Sequence, residues 1–148
     1  MSEVDQSSQK LENLTSLEAW ELLQNDPAAV LVDIRSNMEY LCIGHPLGSV
    51  HIPWIDEPDW KINPNFVREI RKLMLGGVGG ALTAESSPRI ILLCRSGKRS
   101  LEAGELLVDS EITNVSHVTD GFEGELDKNK HRSSINGWRH NNLPWEQC

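Results

Sequence analysis

RIILLCRSGKRSLEAGELLVDS, residues 89–110, decides how this chain folds. Its first six residues are an apolar run rich in branched side chains. That pattern reads as a strand buried on both faces. From Ser100 to Ser110 the pattern turns helical, with Leu101, Leu106 and Leu107 near one face. Cys94 stands at the junction, at the carboxyl end of the strand. Arg95, Ser96, Gly97, Lys98, Arg99 and Ser100 follow it directly.

Outward from this unit the chain alternates strand and helix. A helix is expected from Thr15 or Ser16, which can cap it, to Asp26-Pro27, with Leu17, Trp20 and Leu23 at helical spacing. AVLVDIR (29–35) reads as a buried strand, SNMEYLCIGH as about one helical turn stopped by Gly44, and GSVHIPW (48–54) as a short strand. Residues 55–64 read as loop. NPNFVREIRKLML (63–75) reads as an amphipathic helix with Phe66, Val67, Ile70, Leu73 and Met74 on one face. NVSHVTDGFEG (114–124) gives a strand and a turn, and the polar remainder has Trp138 and Trp145 as anchors. Alternation of this kind predicts an α/β fold, with a central parallel sheet and helices on both faces. Residues 1–13 are expected to be a flexible polar tail and 14–148 a single domain.

Composition narrows the function. The chain has 148 residues and a net charge of −8, so nucleic acid and anionic membrane are not expected partners. The cationic loop after Cys94 runs against that overall sign. Three cysteines without a CxxC spacing, behind a polar N-terminus, fit a reducing compartment, and a cytoplasmic protein is expected. His45, His51, His117, His131 and His140 make no helical i, i+4 pair with a carboxylate, so no metal is expected. GGVGGAL (76–82) follows a helix and lacks a closing Lys-Ser/Thr, so it reads as a linker and not as a phosphate loop. Cys42 reads as a core residue and Cys148 as a chain end.

In an open parallel sheet, ligands bind beyond the carboxyl ends of the strands. A loop leading from such an end into a helix turns backbone N–H groups inward and makes an anion site. The same donors stabilise a thiolate. Gly97 allows a tight path that a Cβ would obstruct. An isolated strand-end cysteine is more often an inert apolar residue. Here the cations, the glycine and the strand-to-helix position argue for a loop that holds a thiolate and an anion together. Arg99 is also placed to pair with Glu102 on the next turn.

CRSGKRS (94–100) resembles the active-site loop of the rhodanese family of sulfurtransferases. LVDIRSNMEYLCIGHPLGSVHIPW (31–54) resembles that family's earlier motif, DGFEG (120–124) its glycine turn, and GWRHNNLPW (137–145) its C-terminal segment. The resemblance runs over roughly residues 15–146. It implies a rhodanese-like fold and a sulfur relay. Cys94 would attack the sulfane sulfur of a donor such as thiosulfate and become a persulfide. A thiol or cyanide acceptor, or a protein partner, would then take the sulfur in ping-pong fashion. Arg95, Ser96, Gly97, Lys98, Arg99 and Ser100 would form the cradle. Asp33, Arg35, Glu39 and His45 would support it, Asp33 and Arg35 as buried charges that orient the loop and His45 by packing. No cofactor is implied beyond the covalent persulfide.

Two positions depart from the animal thiosulfate transferases of the family. Ser96 stands where they often carry a lysine, and Glu39 where a basic residue can occur. Two rival readings remain. Phosphatases and arsenate reductases share the fold, but the phosphatase loop places five residues between cysteine and arginine; here four separate Cys94 from Arg99. The other rival is a non-catalytic sulfur carrier or regulatory module that uses segment 55–87 to bind a partner.

Overall fold

The computed structural model describes residues 10–76 and 88–148. In chain order the elements are β1 (Glu12–Leu14), α1 (Ser16–Asn25), β2 (Val30–Asp33), a π-type turn (Glu39–Ile43), β3 (His45–Pro46), β4 (Val50–His51), β5 (Ile55–Asp56), β6 (Lys61–Ile62), α2 (Phe66–Gly76), β7 (Ile90–Leu93), α3 (Lys98–Asp109), β8 (Val115–Val118) and β9 (Trp145–Glu146). Five strands form one parallel sheet in the order β1-β8-β7-β2-β4. From β2 the chain moves outward to β4, then crosses back to β7 on the other side of β2. The direction of winding therefore reverses between β2 and β7, which is where open α/β sheets place their ligands. Asp33 ends β2 and Leu93 ends β7, so the Asp33 and Cys94 loops flank that point.

The period of two along the central strands divides the core. Val32, Ile90 and Leu92 pack with Phe66 and Ile70 of α2 and with Ala103 and Leu107 of α3. Leu31, Ile91 and Leu93 point the other way, toward Ala19 of α1 and the C-terminal Trp138 and Leu143. Helices thus cover both faces, as the alternation predicts. α2 buries the face its spacing indicates. α1 starts at a capping box: the Glu18 amide donates to Thr15 Oγ1 at 3.2 Å, and the Glu18 carboxylate accepts from the Thr15 amide at 2.9 Å.

Several expectations need correction. The tail does not run to residue 13, because Glu12 and Asn13 are in register with Ser116 and His117 as a parallel edge strand. A strand this short and polar has no apolar period to reveal it. Leu101 and Leu106 of α3 are exposed, as is Leu17 of α1. The face of α3 turned inward is Ser100, Ala103, Gly104 and Leu107. A Cβ on Gly104 would come within 2.6 Å of the Leu11 side chain. Residues 55–64 are not simply loop, since β5 and β6 pair antiparallel within them. Cys42 is exposed, not core. The glycine-rich stretch beyond Gly76 lies outside the described residues.

The C-terminal segment is tied into the domain. β9 pairs with β3, and buried Trp138 packs edge-on against Trp20 at 5.9 Å. Asp120 gathers three parts of the chain. It accepts from the Ser16 amide and hydroxyl, both at 2.8 Å, and from the Gly137 amide at 2.9 Å. Asn141 closes the ring by donating to Ser16 Oγ at 2.8 Å.

Candidate active site

The cysteine loop is shaped by glycines at two points. Gly97 has φ +102, and a Cβ there would lie 2.2 Å from the Thr119 carbonyl oxygen. Gly121, at φ +68, passes so close to the Arg95 carbonyl that a Cβ would sit 2.4 Å from its oxygen. An L side chain fits neither place. The turn after β8 then fastens the loop. The Phe122 amide donates to the Cys94 carbonyl at 2.8 Å, and the Glu123 and Gly124 amides to the Arg95 carbonyl at 2.9 and 3.1 Å.

So held, α3 begins at Lys98 and aims its first amides at the cysteine. Gly97 N–H donates to Cys94 Sγ at 3.1 Å and Ser100 N–H at 3.3 Å. The Cys94 thiol faces Ser100 Oγ at 3.5 Å. These donors, with the positive end of the helix dipole, favour negative charge on the sulfur. Cys94 is only 1% exposed.

The cationic side chains divide. Arg99 does not pair with Glu102. It forms a two-point salt bridge with Glu39, Nη1 to Oε1 at 2.9 Å and Nη2 to Oε2 at 3.0 Å. Burial pushes the Glu39 carboxyl up, but Arg99 and the Ser36 amide and hydroxyl overcome this and hold it at about 2. Burial works against the Arg99 charge; Glu39, and beyond it Cys94 and Asp33, more than restore it. Arg95 and Lys98 are exposed, and neither side chain has a polar partner among the described residues. Ser96 is half-buried. A cleft of about 420 Å³ opens beside the loop, lined by Met38, Glu39, Ile55, Trp60, Arg95 and Arg99 among others.

Asp33 and Arg35 form the inner support. Arg35 Nε and Nη2 donate to the two Asp33 oxygens at 2.9 and 2.7 Å, and Nη2 also donates to the Gly44 carbonyl at 2.5 Å. The guanidinium lies 4.5 Å over the Phe122 ring. This pair therefore braces both the Gly44 turn and the turn that grips Cys94. His45 stays apart from the cysteine loop. Its Nδ1 faces the Tyr40 carbonyl at 2.7 Å, its Nε2 faces Glu146, and its ring stacks on Tyr40, which in turn stacks on His51.

His117 was not among the expected site residues, yet it stands behind the loop. Its Nδ1 lies 2.8 Å from Ser100 Oγ and its Nε2 lies 3.0 Å from Asn13 Oδ1. Burial pushes the imidazole pKa down. The only signal in the sequence is a histidine inside a short buried strand, VSHV, and that alone does not tell a ligand from a core residue.

The family of rhodanese-like domains matches residues 15–127. The chain belongs to this family. A crystal structure of a protein from M. tuberculosis is 38% identical, covers 93% of this chain and 98% of its own, and superposes with a TM-score of 0.75. An uncharacterized protein of Rickettsia conorii is 28% identical over 142 residues, which is 92% of this chain and 98% of that one. The thiosulfate:glutathione sulfurtransferase of Saccharomyces cerevisiae is 30% identical over 95 residues, 63% of this chain and 61% of its own. In this rhodanese-like domain the cysteine loop, the β2 motif and the glycine turn all fall within the matched range. The segment carrying Trp138 and Trp145 extends beyond it. No helix among the described residues is long and apolar enough to cross a membrane.

Proposed function

We propose that the protein is a sulfurtransferase that carries a sulfane sulfur as a persulfide on Cys94. One observation carries this reading: two backbone amides converge on the Cys94 sulfur at the first turn of α3. Such a cradle stabilises an anionic sulfur without any cofactor. The yeast relative named for thiosulfate and glutathione supports the reaction class.

In this scheme a donor enters the cleft beside the loop. Exposed Arg95 draws in its negative charge. The Cys94 sulfur attacks the sulfane sulfur, a new S–S bond forms, and the leaving group departs with the electron pair of the broken bond. A thiol or cyanide then attacks the outer sulfur and the Cys94 thiolate returns. Arg99, already bound at two points by Glu39, offers less free charge to a dianion than Arg95 does. Thiosulfate or a less charged persulfide donor would both fit this arrangement. A protein donor or acceptor would meet Met38 and Trp60, 60% and 57% exposed on the rim of the cleft. The reaction is assigned to the cytoplasm.

Intact-mass spectrometry after incubation with thiosulfate, and separately with mercaptopyruvate, tests the reading. Expected is a gain of one sulfur atom that cyanide removes and that Cys94→Ser lacks. No gain with either donor would count against small-molecule donors. The near-complete burial of Cys94 favours one second reading, a carrier loaded by a partner. It would show stoichiometric persulfide but negligible thiocyanate turnover.

A further inference from the structure

Among the described residues, Cys94 Sγ has three hydrogen-bonding neighbours. Two are amide N–H groups, which cannot accept a proton, and the third is Ser100 Oγ. The Ser100 hydroxyl proton has two acceptors in reach, the Gly97 carbonyl at 3.2 Å and His117 Nδ1 at 2.8 Å. Only the imidazole can keep it. Asn13 Oδ1 can only accept, so Nε2 of the ring carries the hydrogen and Nδ1 is the free base. The thiol is thus joined to a buried base by one hydroxyl.

We infer that His117 takes the Cys94 proton through Ser100 as the sulfur becomes nucleophilic, and returns it when the sulfur is released. The Cys94 S–H bond breaks and a new Ser100 O–H forms. The original Ser100 O–H breaks and His117 Nδ1–H forms. A thiolate and an imidazolium result, one hydroxyl apart, and no oxidant or reductant is needed. His117 acts only through Ser100 and is therefore a positioning residue, one that also stores the proton.

The surroundings suit this role. His117 is 4% exposed and in register with Asn13 of β1 and Leu92 of β7. Among the described residues its polar partners are the uncharged Ser100 of α3 and Asn13 of β1. The nearby pair Glu12 and Arg89 closes instead on Ser116, which points to the opposite face of β8. Burial favours the neutral ring until it can balance a thiolate. Beyond the ring, exposed Asn13 reaches a second cleft of about 490 Å³, lined by Lys10, Leu101, Glu105 and Asp109 among others.

This inference deepens the sulfur-transfer reading, and its test does not depend on sulfur transfer. In a Cys42→Ser/Cys148→Ser background, iodoacetamide alkylation of Cys94 is followed by intact mass across the range where free thiols ionise, around pH 8.5. His117→Gln is expected to slow alkylation at neutral pH by about 100-fold, the lower end of general-base effects. The gap should close as the solution becomes alkaline. Ser100→Ala should reproduce that pH dependence, and the double variant should be no slower than either single one. Thermal unfolding of each variant reports on folding. Identical pH profiles in the parent and both single variants would overturn the inference. So would a deficit equal at every pH, or a parent thiol that stays unreactive throughout. If Cys94 alkylates as expected but never gains sulfur, the sulfurtransferase reading fails and the proton path stands.

Discussion

Asp33–Arg35 and Glu39–Arg99 are both two-point arginine–carboxylate pairs at the winding reversal, the first within the loop after β2 and the second between that loop and the start of α3. The first is sealed, with neither side chain exposed; the second lines the open cleft. Identical groups therefore meet different demands. A sealed pair is weak evidence for net stability, yet breaking it leaves a buried charge alone, at roughly 3–5 kcal/mol. A pair open to water is usually worth about 1 kcal/mol or less. The inner pair holds the loops in place, while the outer one sets the charge a donor meets.

The largest expected effect follows from the inner pair. Arg35→Met should lose roughly 3–5 kcal/mol in urea unfolding, and adding Asp33→Asn should recover part of it. No recovery would mean that the guanidinium matters through Gly44 and Phe122 and not through Asp33. Gly97→Ala comes next. A Cβ 2.2 Å from the Thr119 oxygen, on a φ of +102, should cost about 1–3 kcal/mol and abolish persulfide loading. Loading that survives would show that the cradle tolerates another path.

Arg99→Ala should cost less stability than Arg35→Met yet slow persulfide formation by about tenfold or more. Equal losses in both would erase the contrast between the two pairs. Glu39 adds a pH signature. Its folded pKa of about 2 lies below the ordinary 4.5, so the stability it contributes is present above pH 4.5 and lost as the pH falls through about 2. Unfolding curves taken down that range should show the loss in the natural chain and not in Glu39→Gln, whose stability should converge with it in strong acid. The smallest effect belongs to Lys98→Ala. The side chain is exposed and, among the described residues, has no polar partner, and stability should stay within about 0.5 kcal/mol.

The strand–loop–helix unit around Cys94 was legible because each of its parts obeys a local rule. A buried strand is a continuous apolar run, and a loop around a thiolate needs glycine and donors. The α2 face was legible for the same reason. What stayed hidden depends on distant partners. β3 and β9 are two residues each, separated by most of the chain, and neither carries a pattern of its own. The Glu39–Arg99 contact joins residues on different loops, so local spacing pointed to Glu102 instead. His117 acquires its surroundings only when β1 and α3 close on β8. Gly104 on the inward face of α3 sits against the Leu11 side chain, which no periodicity records.

The ring around Asp120 bears on how the domain can be cut and joined. Asp120 opens the turn that grips Cys94, and its carboxylate holds Ser16 at one end of the chain and Gly137 near the other. The family match stops at 127, but this molecular clasp does not. A shortened version ending there would strip Trp138 from the core and leave the Asp120 carboxylate half-served, directly behind the reactive turn. Anyone transplanting this module into a fusion should carry the last twenty or so residues along, because the chemistry at the carboxyl ends of the inner strands is anchored by chain that lies outside the recognisable motif.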